Sequence, residues 1–114
     1  MAKLPNDIYE KIWRLKRQLA DVIENSRDAE FVILDRFGET ENTIVYLDEL
    51  QSVAEQATDK FSQFSSLQIR IFNIQPYVPR DMLELVMKLI GNTEARLPAL
   101  EQSIQEIKNE WKLL

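Results

Sequence analysis

Three acidic residues near the middle of the chain, Asp48, Glu55 and Asp59, recur at spacings of seven and four, which on a helix sets them along one face. Carboxylates grouped in that way can hold a divalent cation and activate water. Helical dinuclear sites draw on inward Glu-x-x-His pairs, however, and this chain has no histidine. A carboxylate-only magnesium site needs clustered Glu-x-x-Glu and Glu-x-x-Asp pairs facing a groove. Asp48-Glu49 with Glu55 is a looser arrangement, and a solvated acidic face explains it more simply. A second cluster, Lys11, Arg14, Lys16 and Arg17, surrounds Trp13. Cations beside an indole could grip phosphates and stack a base. Glu10, Asp21 and Glu24 lie about one turn from these cations and are expected to pair with them. The whole chain carries a formal charge of -5, which further disfavours nucleic acid as a partner.

What is missing narrows the chemistry more than what is present. With neither cysteine nor histidine, the chain offers no disulfide, thiolate nucleophile, histidine base or zinc site of the usual ligand types. No motif assigns a cofactor or catalytic residue, and none ties the chain to a family. The acidic surplus is concentrated in the middle. Residues 1–37 carry seven basic and seven acidic groups, residues 38–75 two against six, and residues 76–114 five against six. Met1 to Pro5 lack the apolar core of a signal peptide, and no apolar run reaches the roughly 18 residues of a membrane span. A cytoplasmic location and no membrane partner are the expectations.

These residues must be positioned by helices. The 114 residues include only two glycines and four prolines, too few for the many turns of a sandwich or barrel and enough for a few long helices. Leu47, Leu50, Ala54, Ala57, Phe61 and Phe64 alternate steps of three and four, the spacing of an inward heptad seam, and the positions facing away are polar. Upstream, Ile8, Ile12, Leu15, Leu19, Val22, Ser26, Ala29 and Ile33 keep the same rhythm. That predicts a helix capped by Asn6 or Asp7, with Asp7 and Glu10 as a capping box, and stopped after Phe37 by Gly38. Thr40 or Asn42 is expected to cap the next helix after a short reversal. Past Phe64 the apolar positions Leu67, Ile71 and Ile74 fit only with a stammer. A strand over 67–74 competes there, because Leu67, Ile69 and Ile71 also alternate.

Pro76-Tyr77-Val78-Pro79 ends that element and connects it to a third helix that opens near Asp81 and Glu84. Met82, Val86 and Leu89 begin its apolar face, and Leu97, Leu100, Ile104, Ile107, Trp111 and Leu114 continue it. Between Leu89 and Leu97 the step is eight, across Gly91, Asn92, Thr93 and towards Pro98, which implies a kink in one helix or a break into two. The expected fold is all-α: one domain over residues 1–114, an elongated antiparallel up-down-up bundle of three long helices, the last kinked near Gly91 to Pro98, with four helices or a small α+β domain as alternatives. Its general shape is similar to antiparallel three-helix coiled-coil repeats.

A second apolar stripe, Tyr9, Trp13, Ala20, Ile23, Phe31 and Leu34, lies on a flank of the first helix. A helix packed against one neighbour needs only one stripe, and a helix between two neighbours needs a wider face. The stripe is therefore either a broad core face or an interface. With no catalytic group at hand, the expected function is a non-enzymatic protein–protein interaction module, an adaptor, assembly or regulatory subunit whose partner is another protein or a second copy in a dimer. A small nucleic-acid-associated regulator using Lys11 to Arg17, or a carboxylate-dependent magnesium enzyme, are the alternatives. Trp13, flanked by cations, is expected to be more exposed than Trp111 at the opposite end of the rod.

Overall fold

Helix length sets the shape of the molecule. The computed structural model describes residues 4–74 and 76–113, and within them three α-helices follow one another: α1 (Asn6–Phe37), α2 (Ile44–Asn73) and α3 (Arg80–Trp111). A 32-residue helix is about 48 Å long at 1.5 Å per residue, and the molecule is a rod of 55 × 19 × 19 Å. Tyr9 of α1 stacks near Phe72 of α2, and Phe37 of α1 lies near Trp111 of α3. The first pair joins a helix start to a helix end and the second joins two helix ends, so the order is up-down-up. Each helix packs on both others. No strand occurs among the described residues, and the four-helix arrangement does not form because α3 is continuous.

The α1 seam is buried from Ile12 through Leu15, Leu19, Val22 and Ala29 to Ile33. Its one polar member, Ser26, is closed off locally: the hydroxyl donates to the carbonyls of Val22 and Ile23 at 2.8 and 3.0 Å. Backbone acceptors one turn back satisfy a seam hydroxyl without a partner helix. Each fully buried Leu or Ile contributes roughly 1.5–3 kcal/mol relative to an exposed one, so this face alone fixes how α1 lies on α2 and α3.

Two irregularities read from the sequence resolve differently in three dimensions. After Phe64 the α2 seam continues through Gln68 and Ile71, both buried, in the same alternation of four and three. There is no stammer; a polar residue occupies the regular position, while Leu67 is only half-buried and Ile69 is 60% exposed. Both the slipped rhythm and the strand over 67–74 are thereby corrected. Extending an existing helix adds one hydrogen bond per residue fixed, whereas a lone strand here has no partner edge. In α3 the step of eight is filled by Thr93, which is fully buried and turns it into two steps of four. Val86 to Leu97 then spans eleven residues in three turns, a slight local unwinding. Pro98 sits inside α3 on an exposed position, where it removes one helical hydrogen bond without disturbing the seam.

The helix ends depart from the expected caps. No side chain caps α1: Pro5 holds the N-cap position and its carbonyl accepts the Tyr9 N–H at 3.0 Å. The capping box of Asp7 and Glu10 does not form. Gly38 ends α1 and donates its N–H to Leu34; its φ of +73° is one that glycine adopts readily, but with ψ at -176° it is extended rather than the left-handed helical stop expected. Thr40 does not cap α2 with its side chain: its hydroxyl oxygen accepts the N–H groups of Asn42 and Thr43 at 3.2 Å, both in the turn before the helix, and α2 has no side-chain cap. Thr43, rather than Asn42, occupies the position just before α2, and its hydroxyl donates to the Gly38 carbonyl at 2.8 Å. Pro79 precedes α3 and its carbonyl accepts from Leu83. Leu114, the expected last member of the α3 seam, lies outside the described residues. Leu113 is buried instead, as the chain turns through a left-handed Lys112.

Candidate interaction face on the first helix

The second stripe of α1 lies beside α2, on the outer side of the groove between the two helices. Tyr9, near the start of α1, stands 6.5 Å from the Trp13 ring and 6.2 Å from that of Phe72 across the groove. One turn on, Lys16 takes the next position, and Ala20 and Ile23 follow. The degree of cover changes along the stripe. Tyr9, Ala20 and Ile23 are half-buried, whereas Trp13, Phe31 and Leu34 are 46, 68 and 44% exposed. All six lie along one flank, and Phe72 on the opposite wall is itself half exposed. Trp111, by contrast, packs between Phe37 and Tyr46 at 4.9 and 5.4 Å and is less open than Trp13.

Lys16 interrupts the stripe and is almost wholly buried. Its ammonium donates to Oε1 of Gln68 at 2.7 Å, and it lies 4.7 and 4.8 Å from the centroids of the Trp13 and Phe61 rings. The aliphatic stem covers apolar surface while two π faces and one carbonyl receive the charge. Burial lowers the pKa of Lys16 from its ordinary 10.5, because desolvation penalises the charged form. Gln68 is thus recruited into the α2 seam by a cation on α1. Its Nε2 is buried without a hydrogen-bond partner. Trp13, Lys16, Ala20 and Phe61 line an open groove at this level, with Arg14 and Arg17 at its rim.

The basic cluster does not gather as one surface. Lys16 is withdrawn into the groove between α1 and α2. Lys11 and Arg14 turn towards α3, where Glu94 lies 3.7 and 3.8 Å from them. The expected partners Glu10, Asp21 and Glu24 are replaced by this carboxylate, which is distant in sequence and near in space. Arg17 is exposed. Asp48, Glu55 and Asp59 are likewise exposed on α2. Among the described residues no group of three or more histidine, cysteine, aspartate or glutamate side chains is placed to hold a metal ion, and no helix is long and apolar enough to cross a membrane.

The Lys16–Gln68 pair was not foreseen from the sequence, although the seam rhythm points at residue 68 for anyone who extends it regardless of polarity. Comparison with known proteins found no matching family model, no matching curated protein and no matching solved structure.

Proposed function

We propose that the protein is a non-enzymatic interaction module that presents the outer flank of α1, bordered by α2, to another protein surface. One observation carries this reading. Trp13, Phe31 and Leu34 stand substantially open on the helix whose inner seam is buried from Ile12 to Ile33, so a large part of their apolar surface is left uncovered by the rest of the chain, even where Trp13 meets Tyr9 and Lys16. Aromatic and leucine side chains aligned along one helix flank are the material of helix-in-groove and helix-on-helix recognition, and tryptophan is the residue most enriched among the anchors of such interfaces. Exposed large apolar side chains aligned along one flank support an association site there.

The test is a Phe31→Lys, Leu34→Lys double variant, at two of the open positions, followed by circular dichroism and light scattering after size exclusion. The expected result is a variant that keeps its helix content and loses association. A variant that unfolds would show that the flank belongs to the core, and the reading would fall.

A further inference from the structure

The stripe on α1 is nearly symmetric about its own midpoint. Reflecting the helix about the point between Asp21 and Val22 places Tyr9 opposite Leu34, Ala20 opposite Ile23, and Trp13 within one residue of Phe31. A helix whose apolar stripe reads the same in both directions can pair with a reversed copy of itself, large side chains meeting large ones near the ends and the smallest, Ala20, lying beside the centre. The charge along α1 has the opposite symmetry. Residues 6–19 carry four basic groups against two acidic, and residues 20–37 carry two basic against five acidic. A parallel pair would set like halves together; an antiparallel pair sets the basic half of one helix on the acidic half of the other.

From these two symmetries we infer that the occupant of the α1 flank is a second copy of this chain, with its α1 antiparallel and the two-fold axis passing near Asp21 and Val22. The inference rests on the interaction-module reading and specifies its partner. A two-fold contact is isologous, so the same residues serve both sides. Arg17 and Glu24, seven residues apart and on the same side of α1, are both exposed. Across the axis Arg17 of one copy comes within two residues of the level of Glu24 of the other, and the pair occurs twice. Arg27, which falls opposite Lys16, is already held by Glu30 at 2.9 Å, and Lys16 is engaged by Gln68. Arg27 also comes within one residue of the level of Arg17 and within two of Arg14, so every basic juxtaposition of the register involves Arg27, whose charge is offset by Glu30 within its own copy.

The chain has no cysteine, so an introduced cysteine is the sole site for a nitroxide label. Sedimentation equilibrium and pulsed electron spin resonance on Asp28→Cys and Asp35→Cys test the inference directly. In the antiparallel register, residue 28 lies opposite residue 15 and residue 35 opposite residue 8. The axial separations between equivalent labels are then about 20 and about 40 Å at 1.5 Å per residue. A dimer whose label distance lengthens by about 20 Å from the first site to the second is the expected result. Arg17→Glu should weaken that dimer about fivefold or more, and Arg17→Glu, Glu24→Arg should restore it. Equal distances at the two sites would mean a parallel pair, and failure of the swap to restore association would mean another register; either overturns the inference. A wild-type monomer overturns it as well. In that case a Phe31→Lys, Leu34→Lys variant that stays folded leaves the interaction-module reading standing, and one that unfolds removes both.

Discussion

Two stripes run the length of α1, one beside the other, and they differ in almost every respect that packing can reveal. The inner one, from Ile12 to Ile33, is closed along its whole length, with Leu19 and Ile33 at 0% exposure. The outer one is apolar in sequence yet open at Trp13, Phe31 and Leu34. Hydrophobicity alone does not separate them; Phe31 is as apolar as Leu19. What separates them is the angle each makes with the two neighbouring helices. A three-helix bundle closes only the sector of each helix that faces the common axis, and an apolar stripe beyond that sector stays partly open within the chain.

The sharpest way to break this distinction is to truncate one residue from each stripe. Leu19→Ala should destabilise the chain by about 2–5 kcal/mol, the range for a buried leucine whose site cannot fully collapse. Phe31→Ala should change the unfolding free energy of the dilute monomer by no more than about 0.5 kcal/mol. Urea denaturation read by circular dichroism, at concentrations low enough to prevent association, measures both. Comparable losses would make the outer stripe part of the core.

Lys16 and Gln68 lie where the two stripes meet, and they test how firmly the boundary is set. Gln68→Leu takes the acceptor from a buried ammonium and should cost about 1–3 kcal/mol. Adding Lys16→Met should recover most of that loss or exceed wild-type stability, since a well-packed apolar pair carries no desolvation penalty. A double-mutant cycle isolates the coupling. The pH dependence follows in sign. Because burial lowers the pKa of folded Lys16 below 10.5, the unfolded chain holds the proton across the interval between the lowered value and 10.5. The unfolded state binds more protons there, so the contribution of Lys16 to stability increases as pH rises through that interval. The double variant should lack this contribution.

Much of the architecture was legible because apolar residues fill the regular positions of α1 and of α2 as far as Phe64, and each helix is long enough to show many turns. The parts that were not legible are polar. Gln68 and Thr93 keep the seam rhythm, but a polar side chain read alone is assigned to the surface, and only the cation on α1 explains why Gln68 turns inward. Glu94 could not be recognised as the partner of Lys11 and Arg14, because the docking of α3 on α1 decides that contact. The six residues of the outer stripe were identifiable by spacing. Which of them stand open was not, since the reach of α2 beside each one is a tertiary property.

Thr93 offers the finest test of the closed sector. Its hydroxyl oxygen is buried without a hydrogen-bond partner, unlike that of Ser26, which bonds back to Val22 and Ile23. Both residues occupy seam positions, so the same kind of group is satisfied in α1 and unsatisfied in α3. Thr93→Val keeps the β-branched shape and removes the unpaired hydroxyl, and should stabilise the chain by about 1 kcal/mol in thermal or urea unfolding. Ser26→Ala removes a satisfied hydroxyl and should yield no such gain. If Thr93→Val proves destabilising, the hydroxyl must be paired in solution, and the widened step between Leu89 and Leu97 then depends on that polar contact rather than on threonine's bulk.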